Sequence, residues 1–109
     1  MNNFTQIKNY YNRVNYLNDQ DQYHRTDGPA IECANGHKEW YLNGLRHRTD
    51  GPAIEYTGGI KEWHLNGSYH RIDGPAVEYA GGTKYWYLNG KQYTEKQFNY
   101  HVKTRFLFL

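Results

Sequence analysis

The residues best suited to chemistry lie in a phrase, His-Arg-x-Asp-Gly-Pro, that occurs three times and begins at His24, His47 and His70. An imidazole close to a carboxylate could serve acid–base catalysis, and three histidines could bind a metal ion. If each repeat adds two strands, equivalent residues lie about 9.5 Å apart at the usual strand spacing. Zinc ligands must all approach one ion to within about 2.0–2.3 Å. We therefore predict no metal site and no cofactor.

A catalytic use of the phrase would also need a partner group that recurs beside it. Thr26 and Thr49 are replaced by Ile72 in the third copy. The chain has no phosphate-binding glycine loop and no serine or cysteine nucleophile motif. A catalytic site is needed once, whereas a structural joint is needed in every repeat. We predict no catalytic residue and interpret the phrase as a joint, with a paired Arg and Asp and a Gly-Pro turn that starts the next strand.

The phrase belongs to a longer repeat with a period of 23 residues. Asp27, Asp50 and Asp73 keep this interval, and so do the three tryptophans. A fixed period in this range is typical of a repeat array. The array begins near "NYLND" at 15–19 and ends where "YTEKQF" replaces the phrase. We predict one domain with an N-terminal cap at 1–14, hairpin repeats at 15–92, and a C-terminal helical cap with an apolar tail at 93–109.

Within each repeat, apolar and aromatic residues alternate with a period of two on either side of an Asn-Gly or Gly-Gly pair, which is typical of a β-hairpin. The sequence predicts a mainly β fold, an antiparallel meander of hairpins. Strands are predicted at 14–18, 29–34, 38–43, 52–57, 61–66, 75–80 and 84–89. Two registers stay open: a two-residue loop places Ile54 opposite Trp63, and a three-residue bulged loop places Glu55 opposite Lys61.

Both ends of the array need caps. Thr94 and Gln97 form a capping-box pattern, followed by apolar residues near helical spacing, so we predict a helix at 95–104 that closes the last open sheet edge. The tail "RFLFL" at 105–109 either packs back on the sheet or contacts another molecule. Near the N-terminus, apolar residues three to four apart indicate a second capping helix. They are Phe4, Ile7, Tyr10 or Tyr11, and Val14.

Composition limits the function classes. Only 38% of the 109 residues are hydrophobic but 17% are aromatic, so the core must rely on Trp and Tyr and a helical bundle is disfavoured. The net charge of +2 is dispersed, which is weak for a nucleic-acid binder. No apolar run resembles a membrane span or a secretory signal. The single cysteine, Cys33, agrees with a reducing compartment, and we predict a cytoplasmic protein, in the host cytoplasm if it is viral.

The 23-residue unit, with "NG", then "H", then a glycine and a "YxxG" turn, resembles the MORN repeat over residues 15–92. The match is to the variant "WYLNG..HRxDGPA" form of small phage and bacterial proteins, in which Arg25, Arg48 and Arg71 replace the usual glycine. The resemblance implies stacked hairpins in an elongated twisted sheet and a role in binding and scaffolding. It implies more narrowly a phage-encoded inhibitor, anti-CRISPR-like or aimed at another defence, that docks on a host protein or nuclease complex.

Alternate residues of the second strand of each repeat offer a contact surface. If the tryptophans point into the core, their neighbours point outward, and Tyr, Trp and Arg are favoured at interface hot spots. The candidate partner-binding residues are Glu39, Tyr41, Arg46, Glu62, His64, Tyr69, Tyr85 and Tyr87, with Phe106 and Phe108 in the tail.

These features lead to three functional hypotheses. The leading one is a non-enzymatic protein-binding module, with a homodimer through the tail or a sheet edge as a further option. The alternative is a nucleic-acid or nucleotide binder, in which aromatic side chains stack on bases and arginines contact phosphate. Those arginines would be Arg25, Arg46, Arg48 and Arg71. The third is an enzyme that uses one His-Arg-Asp loop, which the near-identity of the three loops disfavours.

Overall fold

The computed structural model describes the backbone of residues 6–107 and the side chains of residues 6–104. The elements are short strands followed by one helix. They are β1 Gln6–Tyr10, β2 Arg13–Leu17, β3 Ile31–Cys33, β4 Lys38–Glu39, β5 Tyr41–Leu42, β6 Leu45–Arg46, β7 Ile54–Glu55, β8 Lys61–Glu62, β9 His64–Leu65, β10 Ser68–Tyr69, β11 Val77–Glu78, β12 Lys84–Leu88, β13 Lys91–Tyr93 and α1 Glu95–Leu107.

The strands form a nine-stranded antiparallel sheet in the order β1-β2-β3-β4-β7-β8-β11-β12-β13, with β5-β6 and β9-β10 as separate two-stranded sheets. The molecule measures 45 × 37 × 18 Å, so it is a thin slab. The predicted antiparallel meander and the C-terminal helix are confirmed. No helix in the described part of the chain is long and apolar enough to span a membrane.

Each full repeat contains two hairpins, although the sequence predicted one. The strand that carries Trp40 changes partners there: the Trp40 amide donates to the Ala53 carbonyl at 2.7 Å, and β5 then pairs back on β6. Asn43 and Gly44 form the turn between β5 and β6 with positive φ angles of 47° and 83°. Asn-Gly tolerates this geometry, which is that of a two-residue hairpin turn. The connection after "WYLNG" therefore begins with a strand and not with a loop.

The first hairpin of each repeat adopts the three-residue loop. The Tyr56 amide donates to the Ile60 carbonyl at 2.9 Å, and Glu55 stands opposite Lys61. The two-residue alternative, which places Ile54 opposite Trp63, is wrong. The same register extends between repeats and produces a row of alternating charge across the sheet. In order, the row is Glu32, Lys38, Glu55, Lys61, Glu78 and Lys84.

The repeated phrase is a joint, as predicted. Arg48 donates from Nε to Asp50 at 2.9 Å and from Nη1 to the Pro52 carbonyl at 3.0 Å and to Glu55 at 3.1 Å. Its guanidinium lies over the Trp40 ring, 3.8 Å from the centroid. A Cβ at Gly51 would lie 2.9 Å from Arg48 Cζ, which explains the glycine. The first and third copies repeat these contacts. There, Arg25 lies over Tyr16 and Arg71 over Trp63.

The histidines of the phrase brace the Asn-Gly turn of the following unit. Nδ1 of His47 accepts a hydrogen bond from the Asn66 amide at 3.0 Å, and the equivalent bonds of the other two copies are 2.9 Å long. The amide of the first turn residue has no partner in the two strands that the turn connects, and the histidine accepts its hydrogen bond. Each histidine thus fixes one turn. Within residues 6–104, no group of three or more His, Cys, Asp or Glu side chains is arranged to hold a metal ion.

The predicted N-terminal helix is wrong over the described residues. Gln6–Tyr10 is a strand that pairs with Arg13–Leu17 through five residue pairs, from Gln6 opposite Leu17 to Tyr10 opposite Arg13. A full ladder of main-chain pairs outweighs the apolar spacing, and asparagine is a poor helix former. Phe4, which was part of that prediction, lies outside the described residues.

The predicted C-terminal helix and its capping box are confirmed. The Thr94 amide donates to the Gln97 side chain at 2.9 Å, and the Gln97 amide donates to the Thr94 hydroxyl at 3.1 Å. Phe98 is buried, whereas Tyr100 is 67% exposed. The helix continues three residues beyond the predicted end, into the tail. The Phe106 side chain and all of Phe108 lie outside the described part, so their assignment to a contact surface stays a prediction.

Candidate aromatic contact surface

The side of the sheet that the sequence placed outside has a buried apolar residue, Ile54, at its centre. Ile54 is completely buried, and its cross-strand partners are Glu39 and Glu62. Because directly paired residues share a face, both glutamates lie on the Ile54 side. Trp40 lies on the opposite face, beneath Arg48. The prediction that Glu39, Glu62 and His64 point outward is therefore wrong: the glutamates are half-buried and His64 is 3% exposed.

Beside these glutamates runs a row of ring-bearing side chains and one arginine, drawn from two equivalent repeat positions. We call it the aromatic ladder. Its members are Tyr23, Tyr41, Arg46, His64, Tyr69 and Tyr87. Ring centroids are 5.1 Å apart between Tyr23 and Tyr41, 4.4 Å between His64 and Tyr69, and 4.8 Å between Tyr69 and Tyr87. Arg46 lies 6.0 Å from the Tyr41 ring centroid. The ladder crosses the successive repeats.

Glu39 anchors the first half of the ladder. It accepts hydrogen bonds at 2.7 Å from both the Tyr41 hydroxyl and His37 Nε2, and Arg46 Nε lies 3.8 Å away. Burial alone would raise the pKa of Glu39, but the bonds from His37 and Tyr41 outweigh it and hold the pKa below the usual 4.5. Glu39 is consequently ionised at neutral pH. Burial and the bond to Glu39 raise the pKa of Tyr41, so its hydroxyl keeps its proton.

Glu62 anchors the second half. His64 Nε2 lies 3.0 Å from Glu62 Oε1, and this hydrogen bond lowers the pKa of Glu62 despite its burial. Burial, together with the nearby Glu62 charge, raises the pKa of Tyr56 and of Tyr69. Arg46 interacts favourably with Glu62 as well as with Glu39, so it links the two halves electrostatically. The other ring nitrogen of His64, Nδ1, is buried and has no hydrogen-bond partner among the described residues.

The structure brings seven of the ten predicted contact residues together. Tyr85 lies on β12, away from these seven, where it is 38% exposed and packs edge-on against Tyr79 with ring centroids 6.0 Å apart. Sequence reasoning missed Tyr23, His37 and Tyr56. Tyr23 occupies the same repeat position as Arg46 and could have been found by extending that equivalence. His37 and Tyr56, whose rings are 5.0 Å apart, had no such signal because they flank different hairpin loops.

Three of the four arginines that the nucleic-acid hypothesis assigned to phosphate are paired with carboxylates, and the fourth, Arg46, lies in the aromatic ladder with a side chain that is 42% exposed. Arg25, Arg48 and Arg71 each pair with one Asp and one Glu, and their side chains are only 20% exposed. The hydrogen bond to Arg25 also holds the pKa of Asp27 below its usual value. Open clefts of about 660 and 420 Å³ lie between consecutive loops, with Trp40 and Trp63 among their linings. An aspartate lines each cleft beside every arginine, so the loops present no net basic surface.

No family model, characterised protein or solved structure matches this chain. The resemblance to MORN repeats thus rests on the repeated residues alone and stays a prediction. The ladder itself offers ring faces, hydroxyl groups, one guanidinium and two ionised carboxylates in fixed positions. Such groups are suited to non-covalent recognition.

Proposed function

We propose that the chain is a non-enzymatic protein-binding repeat module and that the aromatic ladder is its contact surface. The observation that carries the proposal is the ladder, which gathers tyrosines and Arg46 from successive repeats into one row. Tyrosine and arginine are enriched among the residues that dominate interface energies. An array that repeats one surface residue every 23 positions builds an extended surface of this kind from a single local pattern.

The ladder side chains are held in place before any partner arrives. Tyr69 is packed between His64 and Tyr87, and Tyr41 is bonded to Glu39. Side chains that are already ordered lose little conformational entropy on association, which favours affinity. The two ionised glutamates outnumber Arg46, so the surface favours a partner that presents basic groups or hydrogen-bond donors.

The site bears differently on two narrower hypotheses, an inhibitor of a host complex and a nucleic-acid binder. An inhibitor of a host defence or nuclease complex is a protein binder of the proposed kind, but that target rests on the family resemblance alone. Nucleic-acid binding has less support, because three of its four proposed arginines are already paired with carboxylates and Arg46 alone is left in the ladder. A protein partner is the reading that the ladder supports better.

The proposal can be tested by affinity capture with matched variants. The immobilised full chain is exposed to a bacterial lysate at low and high salt, with and without nuclease, and bound proteins are identified by mass spectrometry. Arg46→Ala and Tyr69→Ala change the ladder, whereas Tyr100→Ala removes an exposed aromatic ring on α1. We expect a captured protein that survives nuclease and high salt, is lost with both ladder variants and is retained by Tyr100→Ala.

Two results would count against the proposal. Equal capture by the ladder variants would remove the ladder as the contact surface. Capture that disappears with nuclease or at high salt would favour the nucleic-acid alternative, since binding through phosphate contacts weakens steeply with salt. Thermal unfolding of each variant shows whether a loss of capture reflects a loss of fold.

A further inference from the structure

Two strands of the array receive the same kind of neighbour on their outer edge. β4 receives β7, with Lys38 opposite Glu55 and Glu39 opposite Ile54. β8 receives β11 in the same register: Val77 stands opposite Glu62, and Glu78 stands opposite Lys61. In both cases the incoming segment reads Ala-(Ile/Val)-Glu. The molecule thus shows twice what this edge binds.

The corresponding edge of β12 has no such neighbour among the described residues. β12 pairs with β11 through Lys84 and Tyr85 on one side, and with β13 only through Trp86–Leu88 on the other. The Ala76 amide donates to the Tyr85 carbonyl at 2.8 Å, so the Tyr85 main chain faces β11. Because main-chain groups alternate sides along an antiparallel strand, the amide and carbonyl of Lys84 face the open edge.

Helix α1 does not fill this place. It begins at Glu95, directly after β13 and its cap, where the other repeats continue into the joint. Beside the edge lies an open cleft of about 400 Å³, whose lining includes Lys84, Tyr85 and Thr94. Tyr85 is 38% exposed, whereas Glu39 and Glu62, which occupy the same position in the two earlier repeats, are half-buried. The prediction that the helix closes the last edge is therefore wrong at Lys84 and Tyr85.

Charge indicates what the edge would accept. Lys38 and Lys61 each stand between two glutamates, but Lys84 has one, Glu78. Lys84 also shares the lining of a neighbouring cleft with Glu95 and Lys103 of α1, one acidic and one basic residue, so the helix leaves the charge of Lys84 without a net opposite charge. An acidic side chain opposite Lys84 would complete the alternating row. Directly opposed charges of opposite sign stabilise a cross-strand pair.

We propose that the outer edge of β12 binds an extended segment of a partner protein by adding it as an antiparallel strand. The segment carries an acidic residue opposite Lys84 and an apolar β-branched residue beside Tyr85. Main-chain hydrogen bonds to Lys84 supply attraction, and these two side chains supply selectivity, as in other cases of strand addition. This site is separate from the aromatic ladder and does not depend on it.

The test uses the peptide acetyl-GPAIEY-amide, which copies residues 51–56, and the isotope-labelled full chain observed by NMR. We expect the Lys84 and Tyr85 amide signals to shift on titration. The same peptide N-methylated at its glutamate, and a scrambled peptide, should leave them unchanged. Lys84→Glu should weaken binding about fivefold, the size of an exposed ion pair, and the peptide GPAIKY should restore it.

Matched variants separate this site from the ladder. Lys91→Glu reverses an exposed charge on β13 outside the proposed site and should bind the peptide normally, as should Tyr69→Ala. Loss of peptide binding in Tyr69→Ala together with unmoved Lys84 signals would overturn the strand-addition site in favour of the ladder. Equal binding of the scrambled peptide would also overturn it. Hydrogen exchange gives a further check on the free chain. If the Lys84 amide were as protected as the amides of Lys38 and Lys61, the edge would already be filled and the proposal would be overturned.

Discussion

Removal of one joint arginine is the sharpest test of how the array is held together. Arg48→Ala deletes two ion pairs, a bond to the Pro52 carbonyl and the stacking on Trp40. The bond to Asp50, whose side chain is 83% exposed, is worth about 0.2–1 kcal/mol, and the partly exposed bond to Glu55 is worth about the same. Stacking contributes about 0.5–2 kcal/mol. The unpartnered Pro52 carbonyl costs about 1 kcal/mol.

These contributions give a loss of about 3 kcal/mol in the free energy of unfolding, or about 12 °C in Tm at ~4 °C per kcal/mol. Urea unfolding followed by tryptophan fluorescence measures it directly. Arg48→Lys keeps the charge but not the planar fork, and should lose about 2 kcal/mol because an ammonium cannot make all three bonds and stack as well. Arg25→Ala should lose less than Arg71→Ala, since Arg25 lies over Tyr16 instead of a tryptophan.

Arg46→Ala is the internal control, because Arg46 lies outside the joint and its side chain is 42% exposed. It should cost less than about 1 kcal/mol. If Arg48→Ala cost no more than Arg46→Ala, or if Arg48→Lys matched the unchanged chain, the joint would not depend on the arginine fork and the reasoning would fail.

Three further predictions concern the core, the glutamates and the cap. His64→Tyr should raise the free energy of unfolding by about 1 kcal/mol, because it removes the unpartnered Nδ1 and places a hydroxyl donor near Glu62, as Tyr41 does at Glu39. A lower urea midpoint would show that the site cannot admit the larger ring. The folded-state pKa values of Glu39 and Glu62 lie below the usual 4.5, so their stabilisation is complete above that pH and is lost as the pH falls through the folded values. The urea midpoint of a Glu39→Gln, Glu62→Gln variant should therefore depend less on pH in the acid range, and an unchanged acid dependence would contradict this. Phe98→Ala should cost about 3–5 kcal/mol by calorimetry or urea unfolding, and Tyr100→Ala on the same helix less than about 0.5 kcal/mol; similar losses would show that α1 does not pack through Phe98.

The features predicted correctly depend on local signals. The period of 23 residues, the hairpins, the arginine–aspartate pairing and the capping box at Thr94 are each written within a few neighbouring residues. Their geometry is set by short-range hydrogen bonds and turn preferences, so a single sequence is enough. The prediction of an N-terminal helix was wrong because it used only the spacing of Ile7 and Tyr10, which suits a helix. The strand pairing of this segment depends on β2, which lies beyond the turn.

The features predicted wrongly depend on distant residues. The tryptophans are the largest apolar side chains, and composition assigns them to the core. In the structure, Trp40 and Trp63 are each covered by a joint arginine, Arg48 and Arg71, on the side of the sheet away from Ile54. The apolar residues buried on the opposite side are Ile54 and its equivalents. Which face is covered depends on where the loop returns, and no local pattern records that. The hairpin register was likewise undecidable, because both loops suit the glycine pair and both give plausible cross-strand contacts.

The bond from each Asn-Gly turn to the preceding histidine means that every boundary between units is made by the same contacts. A unit of 23 residues could thus be deleted or duplicated between equivalent positions without creating a new type of boundary. Each such change would lengthen or shorten the slab by about 9.5 Å, the width of two strands. The length of the slab is therefore set by the number of units, and duplication can change that number without altering the sequence of any unit.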